Sequence, residues 1–193
     1  CDTPFSSHHP NGKEMSAEQL AQQVLDFNIA HTVLTGGEPM LTPELLPLCN
    51  LLSEQGIHIT IETAGTLFRS LHCDLMSISP KLSNSTPRGP DFDPWQRRHD
   101  QARHTPDVIR KLIRTHDYQM KFVVDDPSDL DEIDQYLDGI REVDHKRVML
   151  MPQGTDIQTL SKTREWLEPH CVSRGFYFCP RKQIEWYGPE RGT

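Results

Sequence analysis

No stretch of this sequence stays apolar for anything near the roughly 18 residues that a membrane-spanning helix requires, so a membrane is not expected among its partners. Basic charge is also in short supply. Twenty lysines and arginines stand against 28 aspartates and glutamates, for a formal net charge of −8. A general nucleic-acid binder normally carries a basic face, which argues against nucleic acid as a partner. A small anionic substrate needs only a few local donors and remains allowed. Cysteine is present but without a pattern. Cys1, Cys49, Cys73, Cys171 and Cys179 are odd in number, and they follow neither zinc-ligand spacing nor the framework of a small disulfide-bonded domain. Free, mostly buried thiols in a reducing cytoplasm are the simplest account. No signal peptide or targeting segment is recognisable. The chain opens on Cys1 rather than methionine, so the native N-terminus is expected upstream. Internal repeats and low-complexity tracts are missing as well.

What is present is alternation. The 193 residues suit a single domain, long enough to bury about 70% of its unfolded surface. After a polar loop, Ser16 is placed to cap a helix with Leu20, Val24 and Phe27 on one face. His31–Leu34 is a short β-type run. Thr42-Pro43 signals a helix start, with Leu45, Leu46, Cys49 and Leu52 on its apolar face and Gly56 at its end. Ile57–Thr63 and Leu75–Ser79 read as strands. Residues 83–105 are irregular, rich in proline, arginine and histidine, and are expected to form a long insertion. Val108, Ile109, Leu112 and Ile113 mark a helix, Tyr118–Val124 a strand. Ser128 to Asp131 resembles a capping box with Asp in place of Glu, opening a helix through Ile133 and Leu137. A strand at Arg147–Met151, a helix at Asp156–Leu167 and a strand at Gly175–Cys179 complete the series. About six strand–helix alternations predict an α/β fold, a parallel sheet covered by helices. Pattern alone leaves both an open sheet and a barrel in play.

Polar, glycine- or proline-marked segments follow the strand ends, where such sheets place their ligands. They are Thr35-Gly36-Gly37-Glu38-Pro39, Glu62-Thr63-Ala64-Gly65-Thr66, Ser79-Pro80-Lys81 and Met151-Pro152-Gln153-Gly154-Thr155-Asp156. Paired glycines admit close backbone approach, and the Glu38 carboxylate suits an ammonium group. Alone, Gly36-Gly37 reads first as a strand-to-helix turn. Four such ends in series favour a ligand site.

Taken in order, these segments resemble the radical S-adenosylmethionine enzymes. Gly36-Gly37-Glu38-Pro39 is similar to their GGEP motif, and Cys1-Asp2-Thr3 to the end of their CxxxCxxC loop. The fuller set, with Pro4-Phe5-Ser6-Ser7 and terminal Arg191-Gly192-Thr193, resembles the 7-carboxy-7-deazaguanine synthase family along nearly the whole chain. The resemblance implies a partial (βα)6-type barrel spanning 1–193, a 4Fe-4S cluster, S-adenosylmethionine and Mg2+. It implies a lyase that turns 6-carboxy-5,6,7,8-tetrahydropterin into 7-carboxy-7-deazaguanine, with loss of ammonia. Three thiolates hold such a cluster and leave one iron open to the methionyl group. By resemblance Cys1 is the third thiolate and Asp2 borders the cofactor. Gly36, Gly37 and Glu38 meet the methionine amine. Ser79, Pro80, Lys81 and Gln153, Gly154, Thr155, Asp156 hold its carboxylate and adenosine end. Thr35 touches the substrate, Thr3 offers its hydroxyl to magnesium, a hard ion that takes oxygen donors, and the Thr193 terminus reaches the substrate.

Two departures stand out. The first two cluster cysteines are absent, and Pro180-Arg181-Lys182-Gln183 replaces the family's frequent Pro-Arg-x-His, leaving Gln183 where a histidine would act. Outside these motifs, His8-His9 reads as a solvated pair. Trp95, Trp166, Trp186 and Tyr187 read as packing residues, and Tyr187 to Gly192 as a helix-free tail. Arg97, Arg98, His99, Arg103 and His104 form a basic cluster. It reads as a solvated face, with a flavodoxin-type electron donor, which is acidic, as its functional alternative. A homodimer is compatible with all of this. Two other functions stay open: an activase-type radical enzyme, and a non-catalytic barrel that binds a nucleoside or pterin.

Overall fold

The structure, a computed structural model, describes residues 12–86 and 102–188. These fall into two compact units. One takes the residues up to Ile78 with Asp107–Tyr118, the other Ser79–Pro106 with the residues from Gln119 onward.

In the first unit, α1 (Ala17–Asp26) opens on a full capping box. The Ser16 hydroxyl accepts the Gln19 N–H, and the Gln19 side chain accepts the Ser16 N–H. These bonds satisfy two of the N–H groups that a helix start leaves without partners. Its buried residues are Ala17 and Ala21, while Leu20 and Phe27 on the expected apolar face are exposed. β1 (His31–Leu34), β2 (His58–Thr63) and β3 (Leu75–Ile78) pair in parallel in that order. Between β1 and β2, α2 (Leu45–Glu54) starts later than Thr42-Pro43 suggested. A separate 3-10 turn at Pro39–Leu41 comes first. Leu48, rather than Leu46, joins Leu45, Cys49 and Leu52 inside.

β2 alternates strictly, with Ile59, Ile61 and Thr63 inward and His58, Thr60 and Glu62 half-buried. Each fully buried isoleucine contributes about 1.5–3 kcal/mol, and a one-residue slip would turn the whole set outward. α3 (Pro106–Thr115) buries Ile109 and Leu112. Gly65 makes that packing possible. Its φ is +74°, and a Cβ there would lie 2.3 Å from Ile109 Cδ1 and 2.9 Å from Ile78 Cγ2.

The second unit repeats the theme with β4 (Tyr118–Val124), β5 (Val148–Pro152) and β6 (Tyr177–Phe178), again parallel and in chain order. The β6 pairing is shorter than the Gly175–Cys179 expected. Met120, Phe122, Val124, Val148 and Leu150 form the sheet's contribution to the core. The start of α4 (Asp129–Asp138) is not a capping box. Ser128 is helical and makes no side-chain cap. Instead Asp129 Oδ2 accepts the N–H groups of Asp125 and Asp126, and Asp126 Oδ1 accepts the Ser128 N–H and hydroxyl.

α5 (Ile157–Arg174) runs past the Leu167 boundary and through Pro169, because the buried series Leu160, Thr163, Leu167, Cys171 continues at helical spacing. Gly175, at φ 70° in the left-handed region, ends it. α6 (Lys182–Tyr187) was not anticipated, and it takes Tyr187 out of the supposed helix-free tail. Trp186 and Tyr187 are exposed rather than packed, each ring meeting the other edge to face. Of the irregular insertion at 83–105, only its margins fall within the described residues. No helix among the described residues is long and apolar enough to cross a membrane.

Candidate functional site

The strand ends carry the polar groups the sequence pointed to, and each unit builds its own set. In the first unit Thr35, Gly36 and Gly37 are exposed beyond β1. Gly36 has φ +146°, and nothing lies within 4 Å of where a Cβ would stand. Crowding therefore does not explain this glycine. A backbone conformation that L side chains rarely adopt, with open space above it, does. Such a bare peptide is the kind of surface a ligand's amine approaches.

Glu38 turns its carboxylate back into the protein. Oε1 accepts the Met40 N–H at 3.1 Å and the Thr63 hydroxyl at 2.8 Å, and Oε2 accepts the Ala64 N–H at 2.9 Å. Thr63 Oγ1 accepts the Gly65 N–H in turn, at 3.0 Å. The GGEP segment and the Glu62-Thr63-Ala64-Gly65-Thr66 segment are thus one hydrogen-bonded unit. A carboxylate offers about four acceptor positions, so one on Oε2 remains for a ligand ammonium. Thr35 Oγ1 donates to Glu62 Oε2 at 3.3 Å. Arg69 holds the 3-10 turn from below, donating to the carbonyls of Met40 and Leu41.

In the second unit Pro80 is buried and Lys81 half-buried after β3, with Lys81 Nζ 3.5 Å from Ser79 Oγ. The residues that follow are pinned to α4. Glu132 accepts the Ser83 N–H, the Ser83 hydroxyl at 2.6 Å and Arg103 Nη1 at 2.5 Å. Asn84 Nδ2 donates to Val123 O and to Asp129 Oδ2. Burial alone would raise the Glu132 pKa, but the Ser83 and Arg103 bonds together outweigh it and hold the carboxyl below its ordinary range.

Arg103 is therefore committed to Glu132, and His104 packs edge-on against Tyr136 at 5.1 Å. Arg97, Arg98 and His99 lie outside the described residues. Past β5, Gln153 and Gly154 are half-buried and Thr155 and Asp156 exposed. Asp156 caps α5 through the Thr159 N–H and hydroxyl, both at 2.8 Å, and these bonds, backbone first, lower its pKa.

Cys1, Asp2, Thr3 and Thr193, with His8-His9 and Trp95, lie outside the described residues. Cys49, Cys73 and Cys171 test whether any other cysteine fits a cluster. All three are buried, and burial pushes their thiols up to about 11, about 12 and about 11. A cluster ligand must be a thiolate, and burial disfavours that form in all three. Among the described residues no group of three or more His, Cys, Asp or Glu is arranged to hold a metal. Gln183, in the position of the family's histidine, is exposed on α6.

Several supporting residues were invisible in the sequence. Arg69, Asp129, Glu132 and Arg181 act on loops far away along the chain. Only the position of Arg181 directly after a strand end hinted at a role.

Comparison with known proteins shows the family and the fold. Residues 1–114 match the Radical SAM superfamily. A 7-carboxy-7-deazaguanine synthase of Rhodopirellula baltica is 42% identical over 194 aligned positions, covering 100% of this chain and 75% of the relative. Its counterpart in Halobacterium salinarum is 37% identical, covering 95% of this chain and 76% of its own length. Among solved structures, QueE from Escherichia coli superposes with a TM-score of 0.60 at 24% identity. That match covers 86% of this chain and 64% of QueE, and it shows the shared α/β fold.

Proposed function

The chain belongs to the radical SAM superfamily and, within it, to the 7-carboxy-7-deazaguanine synthases, and on that premise we propose that it converts 6-carboxy-5,6,7,8-tetrahydropterin to 7-carboxy-7-deazaguanine. The superfamily implies a 4Fe-4S cluster and S-adenosylmethionine. The observation that carries the proposal is the 42% identity in an alignment that covers the full chain. The reaction is a ring contraction with loss of ammonia, on the route to queuosine and related 7-deazapurines. It would run in the cytoplasm, with a flavodoxin-type protein as electron donor, Mg2+ beside the substrate and a homodimer as the assembled form.

When bound, the cluster and S-adenosylmethionine supply the one-electron chemistry that breaks an unactivated C–H bond. What falls to the chain is binding and orientation. Cys1 would anchor the cluster, with Asp2 beside the cofactor. Gly36 and Gly37 present bare backbone to the methionine amine, and Glu38 adds the one acceptor position its internal bonds leave over. Ser79-Pro80-Lys81 and Gln153-Gly154-Thr155-Asp156 would hold the carboxylate and adenosine end, Lys81 by a charge-assisted bond. Thr35, steadied by Glu62, would touch the pterin, as would Thr193, and Thr3 would give its hydroxyl to magnesium.

The test uses the full-length protein reconstituted anaerobically with iron and sulfide. Given S-adenosylmethionine, a reductant and the pterin, it should release one equivalent of ammonia per deazapurine formed, with S-adenosylmethionine regenerated. Net consumption of S-adenosylmethionine with the pterin untouched would favour the activase reading. Pterin binding without any bound iron would favour a non-catalytic barrel.

A further inference from the structure

Arg181 is 7% exposed, although arginine is seldom so buried without a specific task. It lies between Pro180, just past β6, and the first residue of α6. Its Nη1 donates to the carbonyl of Gly154 at 3.0 Å, in the loop that joins β5 to α5. Gly154 has φ +124°, and a Cβ there would meet only Leu160 and Thr159 side-chain atoms, both at 3.8 Å. Space is available for a side chain. The backbone conformation is what requires glycine.

The rest of the loop is fixed from both sides. The Gln153 N–H donates to Val124 O at 2.8 Å, extending the β4–β5 pairing, and Asp156 is tied to Thr159. Gly154 and Thr155 lie between these two ties, and the Arg181 bond falls on the Gly154 carbonyl. A packing role alone would be met by methionine, which fills similar volume without the cost of removing a charge from water. Thr155 and Asp156 are exposed, so beyond capping α5 the loop presents these two residues to solvent.

We propose that Arg181 is a positioning residue for S-adenosylmethionine: from the neighbouring strand end it holds the Gln153–Asp156 loop in the conformation that receives the cofactor. The inference rests on the reading of that loop as a cofactor contact. Arginine rather than lysine suits the task, because its planar fork keeps one direction, whereas an ammonium on a flexible stem does not.

The experiment measures binding in the cluster-loaded full-length protein without pterin. Arg181→Met, Arg181→Lys, Gly154→Ala and the Arg181→Met/Gly154→Ala double variant are compared with the natural protein. The readouts are iron content, thermal midpoint, and the dissociation constants of S-adenosylmethionine and S-adenosylhomocysteine. Arg181→Met should raise both dissociation constants about tenfold, the scale of one charge-assisted hydrogen bond, with iron content unchanged. Arg181→Lys should recover part of the loss. The double variant should bind no more weakly than the worse single one, since both changes release the same carbonyl.

Natural affinity in Arg181→Met alongside weakened binding in Gly154→Ala overturns the role of Arg181 and leaves the loop reading intact. Natural affinity in both overturns the loop reading. If Arg181→Met does not fold, Arg181→Lys combined with Gly154→Ala decides: fully additive losses overturn the proposal, and a shared loss upholds it.

Discussion

Glu38 accepts the backbone N–H of Ala64 through Oε2 at 2.9 Å, so the last polar residue of the GGEP segment is bonded into the segment that follows the next strand. With the Thr63 hydroxyl and the Met40 N–H on Oε1, that carboxylate is a brace between two strand ends as much as a ligand contact. The motif's glutamate therefore fixes the height at which Gly36 and Gly37 present their backbone. Its charge and its shape both matter, because every partner is a donor.

Glu38→Gln is the sharpest probe of this brace. A carboxamide can accept on one side only, and its NH2 would face a second donor, either the Ala64 N–H or the Met40 N–H with the Thr63 hydroxyl. An unsatisfied, partly buried donor costs about 1–3 kcal/mol. Denaturant titration should show a loss in that range, and Thr63→Val should show a similar loss by a different route. Equal midpoints for Glu38→Gln and the natural protein would mean the brace carries no energy.

Gly65 is the tightest glycine among those described. Gly65→Ala would place a methyl 2.3 Å from Ile109 Cδ1 and 2.9 Å from Ile78 Cγ2, at φ +74°. Overpacking typically costs about 1–3 kcal/mol and the left-handed backbone adds about 1 more. We expect about 2–4 kcal/mol of destabilisation, read from chemical denaturation. Adding Ile109→Val removes the Cδ1 atom, so the double variant should be more stable than Gly65→Ala alone. Simple addition of the two losses would show that the clash is not where the structure puts it.

The pH response near Glu132 has a definite sign. Its pKa is lowered in the folded state because the Ser83 and Arg103 bonds outweigh its burial. A group with a depressed folded pKa adds stability above its unfolded value, near 4.3 for glutamate, and loses it as pH falls through the lower folded value. Stability measured between pH 6 and roughly 3 should therefore fall less steeply in Glu132→Gln than in the natural protein. Identical slopes would place Glu132 outside the acid transition.

Much of the fold was legible because hydrophobic period is a local signal. β4 was read at its observed bounds and β1 as well, and β2 to within one residue, since Ile59 and Ile61 alternate cleanly with polar neighbours. Boundaries failed where a tertiary partner decided them. Ser128 looked like a cap, but it makes none, and Asp126 and Asp129 instead tie up the loop that leads into the helix, which no local rule foretells. The helix expected to end at Leu167 runs on through Pro169 to Arg174, because burial of Leu167 and Cys171 carries α5 past that boundary. Trp186 was expected inside because it is large and apolar, but it is exposed and its ring meets that of Tyr187. The strand-end motifs were readable because glycine and proline mark them. The residues that hold them, Arg69 on Met40 and Leu41 or Arg181 on Gly154, were not, because nothing in a sequence says which distant carbonyl an arginine will find.

The last prediction concerns the cysteines. Cys49, Cys73 and Cys171 are buried, and burial lifts their thiols to between about 11 and about 12, so at neutral pH they are protonated. Thiolate character governs both alkylation and iron binding. In the folded full-length protein, iodoacetamide at pH 7.5 should leave these three unmodified and label Cys179, which is half-buried, first. Conservative Cys→Ala changes at all three should leave iron and sulfide content at the natural level, at a modest loss of packing energy. Cys1→Ala should remove the cluster. The two results bear on different claims. Rapid labelling of Cys73 would contradict its burial, whereas iron lost from the triple variant while Cys1→Ala retained it would move the cluster away from the N-terminal loop and take the assignment of Cys1 with it.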